Sequence, residues 1–170
     1  MRKNKNFNLL IGSQLFSVLG TTIVQFVISL YVLDITKSAL TFSVIASLSI
    51  VGRLICLPFC GVLADRLPKR NLMLLMDCLY LVLSVGLFLV TRLENPVTAI
   101  GILTVIIGMV SAFETPVVQS AIPVICAEEE IPRANGIISS IGTLGTVLGP
   151  ILAGILYRFD AVYQIFIITA

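Results

Sequence analysis

The 170-residue chain has no histidine and little charge: 11 basic and 9 acidic residues make up 12% of it, for a formal net charge of +2. The first absence removes the commonest metal ligand and the commonest general base. No glycine-rich loop ends in Lys-Ser or Lys-Thr, and no nucleophile elbow is present, so phosphate-cradling and serine-hydrolase chemistry have no basis in the sequence. The chain reads as a non-enzyme, with no cofactor and no metal. Its four cysteines, Cys56, Cys60, Cys78 and Cys126, fall in or beside apolar segments without disulfide-rich spacing. Cys56 and Cys60 share a helix face, but nothing completes a metal site, and buried cysteine usually behaves as a small hydrophobe. The sparse basic residues flank apolar runs, where they set membrane orientation; nucleic acid is not expected as a partner.

What fills the chain is hydrocarbon. Hydrophobic residues make up 58% of it, and the mean hydropathy is +1.08. The apolar runs are continuous, which disfavours a β-barrel and points to an all-α bundle embedded in a lipid bilayer. At about 20 residues per crossing, the length allows five or six transmembrane helices. Residues 1–6 precede an apolar run too long for a signal peptide, with no small-residue cleavage site after it, so this run stays as the first helix. Helices are expected over about 7–33, 40–62, 72–90, 97–120 and 134–157. A sixth apolar run begins at Ala161 and stops at Ala170, too short to span.

Polar residues inside these spans are the candidates for function. Gln14, Ser17, Thr21 and Gln25 are spaced by three, four and four, so they form one stripe on helix 1. In lipid such a stripe faces other helices or a water-filled cavity, and both readings stand. Arg53 lies in helix 2, about 12 Å from Gly61 at 1.5 Å per residue. Either it snorkels or it is functional. Asp77 sits about 9 Å into helix 3 at a comparable depth. Helices 2 and 3 are expected to be antiparallel neighbours, so the two charges can pair, as a structural contact or as a moving coupling site. Thr104, Gly108, Ser111 and Thr115 make a second small and polar stripe, on helix 4, with Glu114 at its margin and Pro116 bending the helix. Glu114 is read as a solvated helix end; buried instead, its carboxylate would be disfavoured by desolvation. The triplet Glu128-Glu129-Glu130 followed by Pro132 matches a helix start better than a cation site.

The loops carry the charge. Gly61, Asp65, Arg66, Lys69 and Arg70 form Gly-x-x-x-Asp-Arg-x-x-Lys-Arg between helices 2 and 3. This resembles the signature loop of the major facilitator superfamily of secondary transporters, with Pro68 where that pattern has Gly. In helix 5, Gly136, Gly145, Gly149, Pro150 and Gly154 resemble the antiporter motif of the family's drug exporters, with Ala153 replacing one Gly. Glu114-Thr115-Pro116 and residues 132–136 look like the macrolide-efflux and siderophore-exporter branch. The resemblance covers residues 1–170 as a single bundle, the N-terminal half of a transporter of about twelve helices, ending within the sixth.

The resemblance implies alternating access driven by an ion gradient, with protons as the coupling ion and an amphipathic small molecule as the cargo. It makes Asp65 a cytoplasmic gate residue acting on the second half, with Arg66, Lys69 and Arg70 in the same charge network. The helix 5 glycines would let that helix bend or slide. Many drug antiporters of this type carry an acidic residue in helix 1; here there is none before Asp34, so coupling would fall to Asp77, Glu114 or a residue of the other half. Gln14, Ser17, Thr21, Gln25 and Arg53 are the candidate cavity residues. The inverted three-helix repeats of the family have a faint echo in Pro58 to Gly61 and Pro150 to Gly154.

Basic residues also orient the bundle. With the N-terminus inside, Arg2, Lys3, Lys5, Arg66, Lys69, Arg70 and Arg133 are cytoplasmic, against Lys37, Arg92 and Arg158 outside. The expected location is therefore the cell membrane, multi-pass, with a cytoplasmic N-terminus. The expected function is small-molecule export, with an uptake permease and a non-transporting assembly fragment as the alternatives. On its own the chain is expected to be inactive, needing a C-terminal half or a second copy.

Overall fold

A computed structural model describes residues 5–66 and 68–158. The sixth apolar run and the basic residues Arg2 and Lys3 lie outside the described residues. So do the side chains of Lys5, Asp65, Arg66 and Arg158. The described chain is helical, with no strand: α1 Lys5–Thr36, α2 Ala39–Arg66, α3 Lys69–Val90, α4 Pro96–Ile125 and α5 Ile131–Arg158. Among the described residues, five helices are long and apolar enough to cross a membrane.

Local chemistry sets the helix ends. α1 closes where Lys37 adopts a left-handed conformation, φ 51°, and its N–H bonds the Leu33 carbonyl at 2.8 Å. Ser38 Oγ then accepts the Thr41 N–H at 3.3 Å and caps the start of α2. Pro96 occupies the first turn of α4, where its missing N–H costs nothing. Glu128–Glu130 form a 3-10 turn that leads directly into α5, placing carboxylates at the positive end of its dipole.

α4 continues through Pro116 and Pro123 to Ile125, beyond the expected stop near Ser120. In a membrane bundle, neighbouring helices and local adjustments compensate the lost backbone bonds. Glu114 is therefore 11 residues from the end of α4 and half-buried. It is not the solvated helix end that the sequence suggested.

The helices do not pack in chain order. α2 and α3 both lie against α4, and neither packs substantially on the other, so their expected adjacency is overturned. α1 lies chiefly against α5. Exchanging α1 and α2 with α4 and α5 maps one main contact, α1 on α5, onto the other, α4 on α2. That is the relation expected of a three-helix repeat.

Small residues set both contacts. A Cβ on Gly52 would overlap the Val105 carbonyl oxygen, and one on Gly108 would overlap that of Ser49. α2 and α4 thus touch backbone to backbone. On the other side, Cβ atoms on Gly145 and Gly149 would run into the side chains of Val18 and Thr22 of α1. Ala153, one turn further on, is fully buried with Ile23 and Val27.

Two apolar layers close the bundle. One gathers Val24, Ile28, Val32, Ile45, Leu83, Leu87, Ile100, Ile107 and Val110 from four helices. The other joins Phe7 and Leu10 of α1 to Val118 and Ile122 of α4 and Ala134 and Ile138 of α5. Between these layers, α1 carries Gln14, Ser17 and Thr21 and α4 carries Ser111, Glu114 and Thr115 among apolar residues.

Candidate functional site

Between the apolar layers, α1, α3 and α4 line two adjoining, half-open cavities of about 250 and 130 Å³. The smaller is lined by Ser13, Gln14 and Ser17 of α1, Asp77 and Tyr80 of α3, and Glu114 of α4, with Leu10, Met73, Met76, Val117 and Val118 supplying hydrocarbon. The larger shares Ser17, Asp77 and Tyr80, and adds Gly20, Thr21 and Ser84 among its walls. α1 and α3 begin on the face of the bundle where α4 ends. Counted from those ends at about 1.5 Å per residue, Gln14, Asp77 and Glu114 lie about 14, 12 and 17 Å deep. All three thus share one level of the bundle, well inside helices long and apolar enough to cross a membrane.

The polar groups are only partly satisfied. Gln14 is buried, and its Nε2 donates to Glu114 Oε1 at 3.5 Å, a long bond that ties α1 to α4. Thr21 Oγ1 donates back to the Ser17 carbonyl at 2.9 Å. The hydroxyls of Tyr80 and Ser84 are buried and have no hydrogen-bond partner. Thr21 and Ser111 are the hydroxyls beside Tyr80, but both are turned to carbonyls of their own helices and neither closes a bond with it. Unmet buried polar atoms of this kind are rare in native proteins. Asp77 is exposed and lines both cavities, and among the described residues it forms no ion pair.

The expected cavity residues divide. Gln14, Ser17 and Thr21 line the cavities, whereas Gln25, half-buried further along α1, lines neither. Arg53 is exposed on α2 and outside both linings, although its charge reaches Glu114. No ion pair joins it to Asp77, because α4 rather than α3 is the neighbour of α2. The stripe on α4 is mainly a packing surface: Thr104, Gly108 and Ser111 are buried, and the two hydroxyls bond the carbonyls of Ile100 and Gly108.

Tyr80 and Ser84 were missed. Asp77, Tyr80 and Ser84 are spaced by three and four, a helical stripe that periodicity alone could have found.

In the helix 5 motif, Gly145, Gly149 and half-buried Pro150 lie in the part of α5 that meets α1, whereas Gly136 and Gly154 are exposed and meet nothing within 4 Å of an added Cβ. The sequence placed this motif in a loop, but Gly61 lies near the end of α2 and Lys69 and Arg70 open α3; Gly61 and Arg70 are exposed and Lys69 is half-buried. The gate readings of Asp65 and Arg66 fall on side chains outside the described residues.

Comparison with known proteins agrees with this architecture. Macrolide efflux protein A of Streptococcus pyogenes is 26% identical over 147 residues, covering 86% of this chain and 36% of that protein. Macrolide efflux protein A of Enterococcus faecalis is 27% identical over 119 residues, 68% of this chain and 37% of that protein. Bacillibactin exporter of Bacillus subtilis is 28% identical over 157 residues, 89% of this chain and 39% of that protein. The chain thus spans well under half the length of the curated relatives it matches. No solved structure matches it. The model of the Major Facilitator Superfamily matches residues 10–170. With five membrane-length helices and that match over nearly its whole length, the chain is a multi-pass membrane protein and belongs to the Major Facilitator Superfamily.

Proposed function

We propose that the chain forms the N-terminal bundle of an exporter that moves amphipathic small molecules by alternating access, driven by a proton gradient. The observation that carries this is the mid-depth polar cavity, walled by hydrocarbon and bearing two carboxylates, between two apolar layers. Such a cavity suits a cargo with both apolar and polar parts. Relatives named for macrolide efflux and bacillibactin export favour outward transport. Asp77 and Glu114 are the coupling carboxylates of this bundle, since intramembrane acids mark proton relays.

The second bundle comes from further chain or from another polypeptide, a second copy of this one included. The N-terminus is cytoplasmic, which places Gly61, Asp65, Arg66, Lys69 and Arg70 on the cytoplasmic side as a gate acting on the partner bundle. Gly136 and Gly154, open in this chain, are free to approach that bundle closely.

The test is energised efflux of a macrolide and of a cationic dye from an efflux-deficient bacterium. The strains express the chain alone, or with the C-terminal bundle of a macrolide-efflux relative. The expected result is no efflux by the chain alone, and gradient-dependent efflux with the partner that Asp65→Asn abolishes. Gradient-driven accumulation would mark an uptake permease. No transport in either strain, with both bundles in the membrane, would support the non-transporting reading.

A further inference from the structure

Arg53 stands outside both cavities and lies at the middle of α2, about 20 Å from either end at about 1.5 Å per residue. Among the described residues it has neither an ion pair nor a hydrogen bond. Glu114 on α4 feels its charge but is bonded to Gln14 instead. An arginine at that depth is among the side chains that hydrocarbon disfavours most, and snorkelling brings its head only part of the way to the interface. Left facing lipid, it would be a standing cost to the bundle.

The faces of α2 divide by chemistry. Ser49 and Gly52 are buried on the side that meets α4. Val51, Ile55 and Phe59, spaced by four, form an exposed face of hydrocarbon alone, which suits lipid. Ile50, Arg53, Leu54 and Leu57, spaced by three, one and three, form another exposed face, apolar around a single cation. α1 meets α2 about three turns away, at Phe26 and Phe42, and leaves that face open. The repeat relation makes α2 the counterpart of α5, whose open Gly136 and Gly154 approach the second bundle in the exporter reading.

We propose that this cation-bearing face of α2 is a docking surface for a second, C-terminal bundle, and that Arg53 takes a carboxylate which a helix of that bundle presents at mid-depth among apolar side chains. The curated relatives leave room for such a bundle, since this chain covers only 36% of one and 39% of another. A second copy of this chain does not fit: docking two copies by the same face would set Arg53 against Arg53 with no acid between them. The inference rests on the two-bundle part of the exporter reading, but its test is association in a membrane, which needs no transport.

The probe is a model transmembrane helix of about 20 leucines with a single glutamate at mid-span, beside a twin with glutamine in its place. Energy transfer from a dye on the chain to a dye on the peptide reads their association in phosphatidylcholine vesicles. The parent chain should bind the glutamate helix about tenfold or more tighter than the twin, as expected for a charged partner in a low-dielectric site. Arg53→Gln should make the two peptides equal, and Arg53→Lys should keep the preference. Circular dichroism checks that both variants remain helical.

Three outcomes overturn the proposal: a parent chain that binds both peptides alike, an Arg53→Gln chain that still prefers the glutamate helix, or energy transfer between two labelled copies that Arg53→Gln abolishes. The last would put a second copy on this face. The peptide pair leaves the chain untouched, so the first outcome is decisive even where a variant fails to fold. Failure of transport with this preference intact would refute the exporter reading and leave the docking face.

Discussion

Replacing Gly108 with alanine puts a methyl group where the backbone of α2 already lies. The added carbon would overlap the Ser49 carbonyl oxygen and stand 2.7 Å from the Ser49 carbonyl carbon and 2.9 Å from its Cα. Ordinary carbon contacts are about 3.5–4.0 Å, so α2 and α4 must separate by roughly 1 Å. No rotamer can relieve this, because every atom in the way is backbone. Overpacking of this kind costs about 1–3 kcal/mol, against a helix-propensity gain of up to about 1 kcal/mol.

The same substitution at Gly136 meets nothing within 4 Å and should be neutral or mildly stabilising. Gly149→Ala should fall between them: rotation can move the Thr22 methyl, at the expense of the hydroxyl's 2.6 Å bond to the Val18 carbonyl, but Thr22 Cβ stays 2.6 Å from the added carbon, so α1 and α5 must part around that one fixed atom. The three variants are compared by unfolding in mixed detergent micelles followed by circular dichroism. The expected order of loss is Gly108→Ala, then Gly149→Ala, then Gly136→Ala, with about 1–3 kcal/mol between the extremes. A Gly108→Ala protein as stable as Gly136→Ala would refute the backbone contact between α2 and α4.

Lys37→Gly should stabilise the chain by roughly 0.5–1 kcal/mol, because glycine relieves the left-handed strain at φ 51° and forfeits only an exposed ion pair with Asp34; the same unfolding assay reads it. Ser38→Ala should cost about 1 kcal/mol by uncapping α2. A double-mutant cycle of Arg53→Ala and Asp77→Ala should show coupling below about 0.5 kcal/mol, since the two side chains do not pair. Coupling of about 1 kcal/mol or more would restore the pair that the sequence suggested.

The spans were legible because about 20 apolar residues in a row fit little besides a bilayer crossing. Their arrangement was not. Reading Arg53 against Asp77 assumed that helices joined by a short loop are neighbours, and α4 takes that place beside α2 through Gly52 and Gly108. Gly108 stood in a recognised stripe, whereas the small-residue stripe of Ser49, Gly52, Cys56 and Cys60 on α2, spaced by three, four and four, was overlooked. Half the cavity was visible as the period of Gln14, Ser17 and Thr21 on α1. The other half was legible but overlooked: Asp77 was singled out as a charge, and its stripe with Tyr80 and Ser84 on α3 was not followed. Glu114 was misplaced for a different reason: the helix was expected to end near Ser120 after a bend at Pro116, and in this bundle α4 runs on through Pro123 to Ile125.

Everything proposed for function depends on the layer between the two apolar clusters being a wet cavity rather than a dry seam, and cysteine accessibility measures that directly. Ser17→Cys and Thr21→Cys, which point into the cavities, are compared with Val82→Cys, exposed on α3 outside both linings, in a chain whose four native cysteines are replaced by serine. A membrane-impermeant thiol reagent should modify the cavity positions at least tenfold faster than Val82→Cys in intact membranes. Equal, slow modification at all three positions would contradict the account.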